Sequence, residues 1–220
     1  MQPVLVIGNK NYSSWSLRAW LVLREAGIEF TERRIVLDVA DTQSELQSLG
    51  AASRVPVLTL DGQTIWDSLA IAEAVNDRWP DQGLWPADRK ARAHARSVSA
   101  EMHAGFDALR GQMPMNCRAM GRKVELTDPL AADIDRVIAI WSDCYHRYSE
   151  QYGGDWLFGT FSIADAMYAP VVLRFRTYGI NLPQSASHYP KRLLKSRAMQ
   201  EWLAAAECES EVIVREELGQ

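Results

Sequence analysis

The sequence predicts an α+β fold in two parts: a small βαβαββα unit followed by an all-α helical bundle. Three observations predict it. Over Ser53 to Val75, SRVPVLTLDGQTIWDSLAIAEAV, the apolar period changes from two to about 3.6 just past Ser68, so a hairpin gives way to a helix. Upstream of that stretch, strand-like and helix-like runs alternate. Beyond WPDQGLWP (79–86) no strand signal remains, only helical periodicity.

Residues 3–7, PVLVI, form a short continuous apolar run, as expected for a strand buried on both faces. GNKNYSSWS follows as a polar loop. A helical pattern then runs from about Trp15 to Ala26 and stops at Gly27, a natural C′ residue. Phe30 to Val36 (FTERRIV) alternates in part and reads as a second strand, and Thr42 to Leu49 as a short helix closed by Gly50. VLTL and QTIW flank Asp61-Gly62, a hairpin turn signal. Asp67-Ser68 is an N-cap pattern, opening a helix in which Leu69, Ala72, Val75 and Trp79 recur. A β-α-β-α-β-β-α order ending near Trp79 is that of a thioredoxin-like domain, with a right-handed parallel crossover and then an antiparallel hairpin.

WPDQGLWP reads as a linker, and its two tryptophans predict a packed one. The domains are therefore expected at 1–79 and 88–220, with 80–87 between them. Asp88 to about Gln112 reads as one helix, broken by MPMN (113–116). Thr127 or Asp128 with Pro129 starts the next, since proline is favoured in the first turn. Its apolar stripe is Ile134, Val137, Ile138, Trp141, Tyr145 and Tyr148. Ser162 to Asp165 has the capping-box layout, with Asp in place of Glu. Ile163 to Phe175 is apolar almost all round, so this helix should lie at the domain centre, kinked at Pro170. Tyr189-Pro190 is expected to begin a short helix and Ser196 to Cys208 another, while EVIVREELGQ carries no clear period.

Composition excludes several function classes. With 220 residues, 47% hydrophobic, 24% charged and a net charge of −4, the chain has the make-up of an ordinary globular protein and no basic footprint for nucleic acid. No apolar run approaches the length of a membrane span, and MQPVLVIGNK lacks a signal-peptide layout, so a cytoplasmic protein is expected. Cys117, Cys144 and Cys208 are odd in number and form no C-x-x-C. His94, His103, His146 and His188 have no ligand spacing, so no metal is expected.

Two features near the hairpin have chemical content. X–Pro bonds alone adopt cis with appreciable frequency, and a cis Val55-Pro56 would leave the backbone of Val55 free to pair with an extended ligand. A helix N-terminus behind Asp67-Ser68 suits a carboxylate. Taken singly, each is as well explained by a strand-initiating proline or a routine cap.

Together with the two-part layout, these motifs resemble the cytosolic glutathione transferases over nearly the whole chain. Val55-Pro56 is similar to the family's cis-proline step that pairs with the cysteinyl backbone of glutathione. Asp67-Ser68 resembles its motif for the γ-glutamyl end, and Ser162 to Asp165 its structural capping box on a buried helix. Ser13-Ser14-Trp15-Ser16-Leu17-Arg18 resembles the serine-type zeta and theta classes, but has Trp15 where zeta has cysteine. No cysteine precedes residue 117, which excludes a cysteine nucleophile of the omega or beta kind.

The resemblance implies glutathione as co-substrate, a small electrophile as second substrate, a homodimer and a role in detoxification. Ser14 is the expected thiolate donor, counting four back from Arg18, with Ser13 the close alternative and Tyr12 a third. A free thiol has a pKa of about 8.5; a serine O–H bonded to the sulfur anion supplies about 1.5–3 kcal/mol, and the positive end of the first helix about 0.3–1 kcal/mol more. Arg54 or Lys10 is expected at the glycyl carboxylate. For the electrophile the candidates are Tyr12, Trp15, His103, Phe106, Met113, Met115, Arg174, Arg176 and Tyr178, the two arginines suiting a carboxylated substrate. Alternatives to conjugation are a glutathione-dependent cis–trans isomerase of the maleylacetoacetate type and a non-catalytic module of the same fold.

Overall fold

The computed structural model describes residues 2–50 and 53–220. Four short strands form one mixed sheet in the order β2-β1-β3-β4. β1 (Val4–Ile7) pairs in parallel with β2 (Thr31–Arg34) and antiparallel with β3 (Val57–Leu60), which pairs antiparallel with β4 (Gln63–Ile65). The apolar run of β1 is thus central, as its sequence requires. β2 is shorter than its expected range and exposed at all four residues, which suits the charged edge Thr-Glu-Arg-Arg. Asp61 and Gly62 both have positive φ, +49° and +82°, the geometry of a tight hairpin turn between β3 and β4.

Helix α1 (Ser14–Glu25) follows β1 and ends where Gly27 takes φ +67°. Helix α2 (Thr42–Ser48) covers a small cluster of Val6, Ile35, Leu46 and Val57 on one sheet face. On the other face α1 packs against α3 (Ser68–Arg78), and Leu5, Ile7, Leu17, Leu21, Leu58 and Ile71 are fully buried there. The segment after α3 is packed, as its tryptophans predict. Leu84 and Trp85 are buried, and the Leu84 carbonyl accepts from the Ile163 N–H at 2.9 Å.

Two expectations about the helical part need correction. The single helix expected over 88–112 is two, α4 (Arg89–Ala104) and α5 (Asp107–Gln112). The chain turns at Gly105-Phe106, where Phe106 has φ +61° and buries its ring edge-on to Tyr168. Tertiary burial of an aromatic ring outweighs helical periodicity at this point. The helix expected to begin at Tyr189-Pro190 begins at Gln184 instead, and α9 (Gln184–Leu194) runs through Pro190. Tyr189 anchors it, donating to the Asp165 carbonyl at 2.6 Å.

Helix α6 (Asp128–Cys144) starts from the Thr127 cap, with Leu130 and Ile140 completing a buried face that includes Ile134, Val137 and Trp141. A π-helical turn and a single turn of helix, α7 (Glu150–Tyr152), extend it. Helix α8 (Ile163–Tyr178) is buried at every residue except Arg176, and passes unbroken through Pro170. It packs against α1, α4 and α9 and so joins the two halves through one core. Asp165 Oδ2 accepts from the N–H and hydroxyl of Ser162 at 2.8 and 2.9 Å, and Oδ1 from the Leu157 N–H at 2.9 Å. Helix α10 (Arg197–Glu207) starts from the Ser196 cap. The remaining residues run back toward the N-terminus of α1 as an irregular strap with one 3₁₀ turn at Val214–Glu216.

Candidate active site

The loop between β1 and α1 is built to hold a fixed shape. At Gly8, a Cβ would stand 2.5 Å from Leu37 Cδ1 and 3.2 Å from Ser13 Cβ, so a larger residue would oblige the Leu37 side chain to move. The Gly8 N–H donates to Ser16 Oγ at 3.0 Å, and the Asn9 carbonyl accepts from Tyr12 and Ser13 at 3.2 and 2.8 Å. Asn9 Oδ1 in turn accepts from the Leu37 N–H at 2.8 Å. This turn delivers Ser13 to the N-cap of α1 and Ser14 to its first residue.

The two serines differ in what holds them. Ser13 lines the cleft as Ser14 does, but its Oγ donates to Ser16 Oγ at 2.7 Å. Ser14 borders a cavity of about 500 Å³, and among the described residues no hydrogen bond engages its hydroxyl. A hydroxyl at the positive end of a helix, with its proton uncommitted, can donate to an anion in that cavity. Tyr12 borders the cavity with its ring, but its hydroxyl is committed: it donates to Glu217 Oε1 at 2.6 Å and accepts from Arg118 Nη2 at 3.1 Å. Burial and then the Glu217 carboxylate raise the Tyr12 phenol above its ordinary pKa. Of the three hydroxyl candidates, Ser14 alone is available.

A second lobe of about 360 Å³ adjoins the first, and Trp15, Arg54, Val55 and Arg110 line both. Pro56, Asp67, Ser68 and His103 complete it, with the exposed Trp66 at its rim. The Val55–Pro56 and Trp66–Asp67 peptides are both cis. Asp67 caps α3, accepting from the Leu69 N–H at 3.0 Å and the Ala70 N–H at 3.4 Å. Its other oxygen lies 2.9 Å from His103 Nε2, across from α4. Ser68 is 1% exposed, and its hydroxyl has no partner among the described residues. A buried hydroxyl without a partner costs about 1–3 kcal/mol, and a carboxylate arriving there removes that cost.

The cleft is cationic. Arg54 is exposed at the junction of the lobes, while Arg110, Arg174 and Arg215 border the larger one. Beneath them Arg18 is fully buried, with its guanidinium 4.2 Å from the Trp15 ring centroid and Nε donating to the Met167 carbonyl. Burial, then the neighbouring Arg174 and Arg110, bring the Arg18 guanidinium down to about 9. Arg174 Nε donates to the Met113 carbonyl at 2.7 Å, and Nη1 is buried with no partner among the described residues. Burial lowers Arg174 to about 10, against the raising field of Glu216.

Several sequence-predicted residues do not reach this cleft. Lys10 was expected at the glycyl carboxylate. Its ammonium instead pairs with Glu32 at 2.9 Å and lies over the rings of Trp20 and Trp202, in a separate polar cavity. Arg176 turns away, its Nε donating to Met120 Sδ at 3.2 Å. Met113, Met115, Phe106 and Tyr178 are buried and border neither lobe. Residues missed from sequence are Arg110, which the spacing His103, Phe106, Arg110 on a helical face would have offered, and Ile213, Arg215 and Glu216, for which the strap gave no periodic signal. Cys117 and Cys144 are buried, their thiols raised by burial, Cys117 to about 12. Among the described residues no group of His, Cys, Asp or Glu could hold a metal, and no helix is long and apolar enough to cross a membrane.

Residues 12–78 match the family model of the glutathione S-transferase N-terminal domain, and residues 74–205 that of its C-terminal domain. The chain belongs to the glutathione S-transferase family. The maleylacetoacetate isomerase of Rattus norvegicus is 28% identical over 203 residues, 90% of this chain and 91% of its own. A probable maleylacetoacetate isomerase of Caenorhabditis elegans is 34% identical over 108 residues, 49% of this chain and 50% of its own. Among solved structures, a Burkholderia glutathione transferase homolog with bound glutathione aligns with a TM-score of 0.71 at 23% identity, over 95% of this chain and all of that one. The family's two-part, thioredoxin-like and all-helical layout is the one described above.

Proposed function

We propose that this transferase holds the thiolate of its co-substrate glutathione on the Ser14 hydroxyl and directs it at a small electrophile in the larger lobe. The observation that carries the assignment is the contrast within the serine pair: Ser13 is spent on Ser16, and Ser14 faces the cavity uncommitted. Glutathione would lie extended across both lobes. Its cysteinyl backbone pairs with Val55 beside Pro56, its γ-glutamyl carboxylate with Ser68 and the N-terminus of α3, and its ammonium with Asp67. Arg54 takes the glycyl carboxylate. In conjugation a sulfur–carbon bond forms, the leaving group departs with the electron pair of the broken bond, and Ser14 keeps its proton throughout.

A second reading is supported by the arginines. Arg110, Arg174 and Arg215 border the larger lobe, which suits a carboxylated substrate, and relatives aligned over nine-tenths of the chain are maleylacetoacetate isomerases. Isomerisation uses the same thiolate: it adds to a double bond, the resulting single bond rotates, and elimination returns the thiolate. Trp15, which lines both lobes, then serves as the apolar wall beside the reacting carbon, whereas His103, expected there from sequence, borders only the smaller lobe and stands against Asp67. We also infer a cytoplasmic homodimer, with a domain boundary near residue 79 and a linker over 80–87; sedimentation tests the dimer.

Binding to immobilised glutathione, followed by turnover of a chloronitrobenzene, separates these readings. A protein that fails to bind glutathione overturns both enzymatic readings, and one that binds without turnover of any electrophile is a binding module. Ser68→Ala is expected to raise KM for glutathione about tenfold while leaving the denaturation midpoint unchanged or slightly higher, because the hydroxyl it removes has no partner among the described residues. A lowered midpoint with unchanged KM would assign Ser68 to the cap alone.

A further inference from the structure

One wall of the cleft comes from a stretch without helical or strand period, Ser210–Glu217. Ile213 is 2% exposed, and it borders the larger lobe together with Arg215 and Glu216. The strap is fastened to the serine loop at both ends. At the first, Glu209 accepts from the N–H groups of Lys10 and Asn11 at 2.7 and 3.0 Å, and Arg118 donates to the Glu211 carbonyl at 2.8 Å. At the second, Glu217 Oε1 accepts from the Tyr12 hydroxyl at 2.6 Å and from Asn116 Nδ2 at 2.8 Å, and Oε2 pairs with Arg122. Between these anchors Arg215 pairs with Asp38 and stands 3.6 Å from Glu216.

Glu216 is the one carboxylate among the described residues lining the larger lobe, where four arginines also stand. Of the acids acting on the buried Arg174, it is the strongest. Its side chain remains 30% exposed, so it can meet a ligand. We propose that the strap is the charge-selecting wall of the second-substrate site, with Glu216 as its specificity-determining residue and Tyr12 as the positioning residue that holds the strap in place. This rests on the reading that glutathione binds beside Ser14. Arg174 and Arg110 attract any anion; Glu216 offsets part of that field and restores a share of the site to neutral electrophiles. Arg215, on the same turn, acts in the opposite sense.

The test uses two glutathione conjugates made chemically, one from a chlorodinitrobenzene and one from its carboxylate-bearing analogue, a chlorodinitrobenzoate. Calorimetry of each with the full-length protein gives an affinity ratio, carboxylated over neutral, without need of turnover. Glu216→Gln is expected to raise that ratio about three- to tenfold, and Arg215→Gln to lower it by a similar factor. In a Tyr12→Phe background, which releases Glu217 and loosens the strap bearing both charges, the shifts caused by Glu216→Gln and by Arg215→Gln are both expected to shrink. Ratios that stay at the wild-type value in Glu216→Gln and Arg215→Gln, or affinities for both conjugates that fall in step, overturn the proposal. Wild-type protein that binds no glutathione overturns the site reading and the strap's role together.

Discussion

Ser14→Ala is expected to raise the pKa of the bound glutathione thiol by about one to two units, because a hydrogen bond to an anion is worth about 1.5–3 kcal/mol and each unit corresponds to about 1.36 kcal/mol. On the proposed role of Ser14 the wild-type complex lowers the thiol below its free value, so the variant is expected to lose thiolate in the window between the lowered pKa and about 8.5. Near pH 7 kcat/KM should fall about 10- to 100-fold, and it should recover as the pH passes the free thiol value. Affinity for glutathione itself should change little, since Val55, Asp67 and Ser68 remain. The measurement is thiolate ultraviolet absorbance against pH for the complex, beside the pH profile of kcat/KM. Ser13→Ala makes the control: it removes the bond to Ser16 but leaves Ser16 to accept from Gly8, at a stability cost of about 1 kcal/mol and with no change in thiol titration. A shifted thiol in Ser13→Ala and an unshifted one in Ser14→Ala would exchange the two roles.

For Asp165→Ala the expected loss is about 3–5 kcal/mol of folding free energy, the largest single-residue effect on stability in this set. Asp165 is fully buried, and burial pushes its carboxyl up to about 7 while the three donors around it pull it back. Removing it strands the N–H groups of Leu157 and Ser162 in a dry interior, each at about 1–3 kcal/mol, and loosens the first turn of the helix that joins the two halves. Urea denaturation measures it, as a lowered midpoint at constant slope. Asp165→Asn keeps one accepting oxygen but turns an amide toward the remaining donors, so it should recover only part of the loss. A loss under about 1 kcal/mol in Asp165→Ala would show that water or neighbouring groups satisfy those donors instead.

The elements that local chemistry dictates were legible from the residues alone. Gly27 stops α1, Asp61-Gly62 makes the hairpin, Thr127 and Ser196 cap their helices, and Ser162 with Asp165 opens the buried one. Each is decided within a few residues by φ preference or by a side chain reaching its own backbone. Ser14, Val55, Asp67 and Ser68 sit at helix starts and strand ends, where local chemistry shows a cap or a turn; their proposed part in holding glutathione came from the family resemblance, and the structure brings all four to one cleft. What long-range packing decides was not. The break at Gly105-Phe106 exists because an aromatic ring finds Tyr168. Lys10 lies close in sequence to Ser14, yet Glu32 and two tryptophans hold it in another cavity. Arg174 and Arg176 are two residues apart on one helix, so they point in different directions, and only the first lines the cleft.

The strap also orders events in time. Ser14 leaves the ribosome before the strap does, and the sheet and α1 around it can begin to fold while the strap is unmade. The wall formed by Ile213, Arg215 and Glu216 is translated some two hundred residues later, and Tyr12 has no Glu217 to bond until then. A nascent chain therefore gains the hydroxyl proposed to hold the sulfur well before it gains the surface proposed to choose what the sulfur attacks.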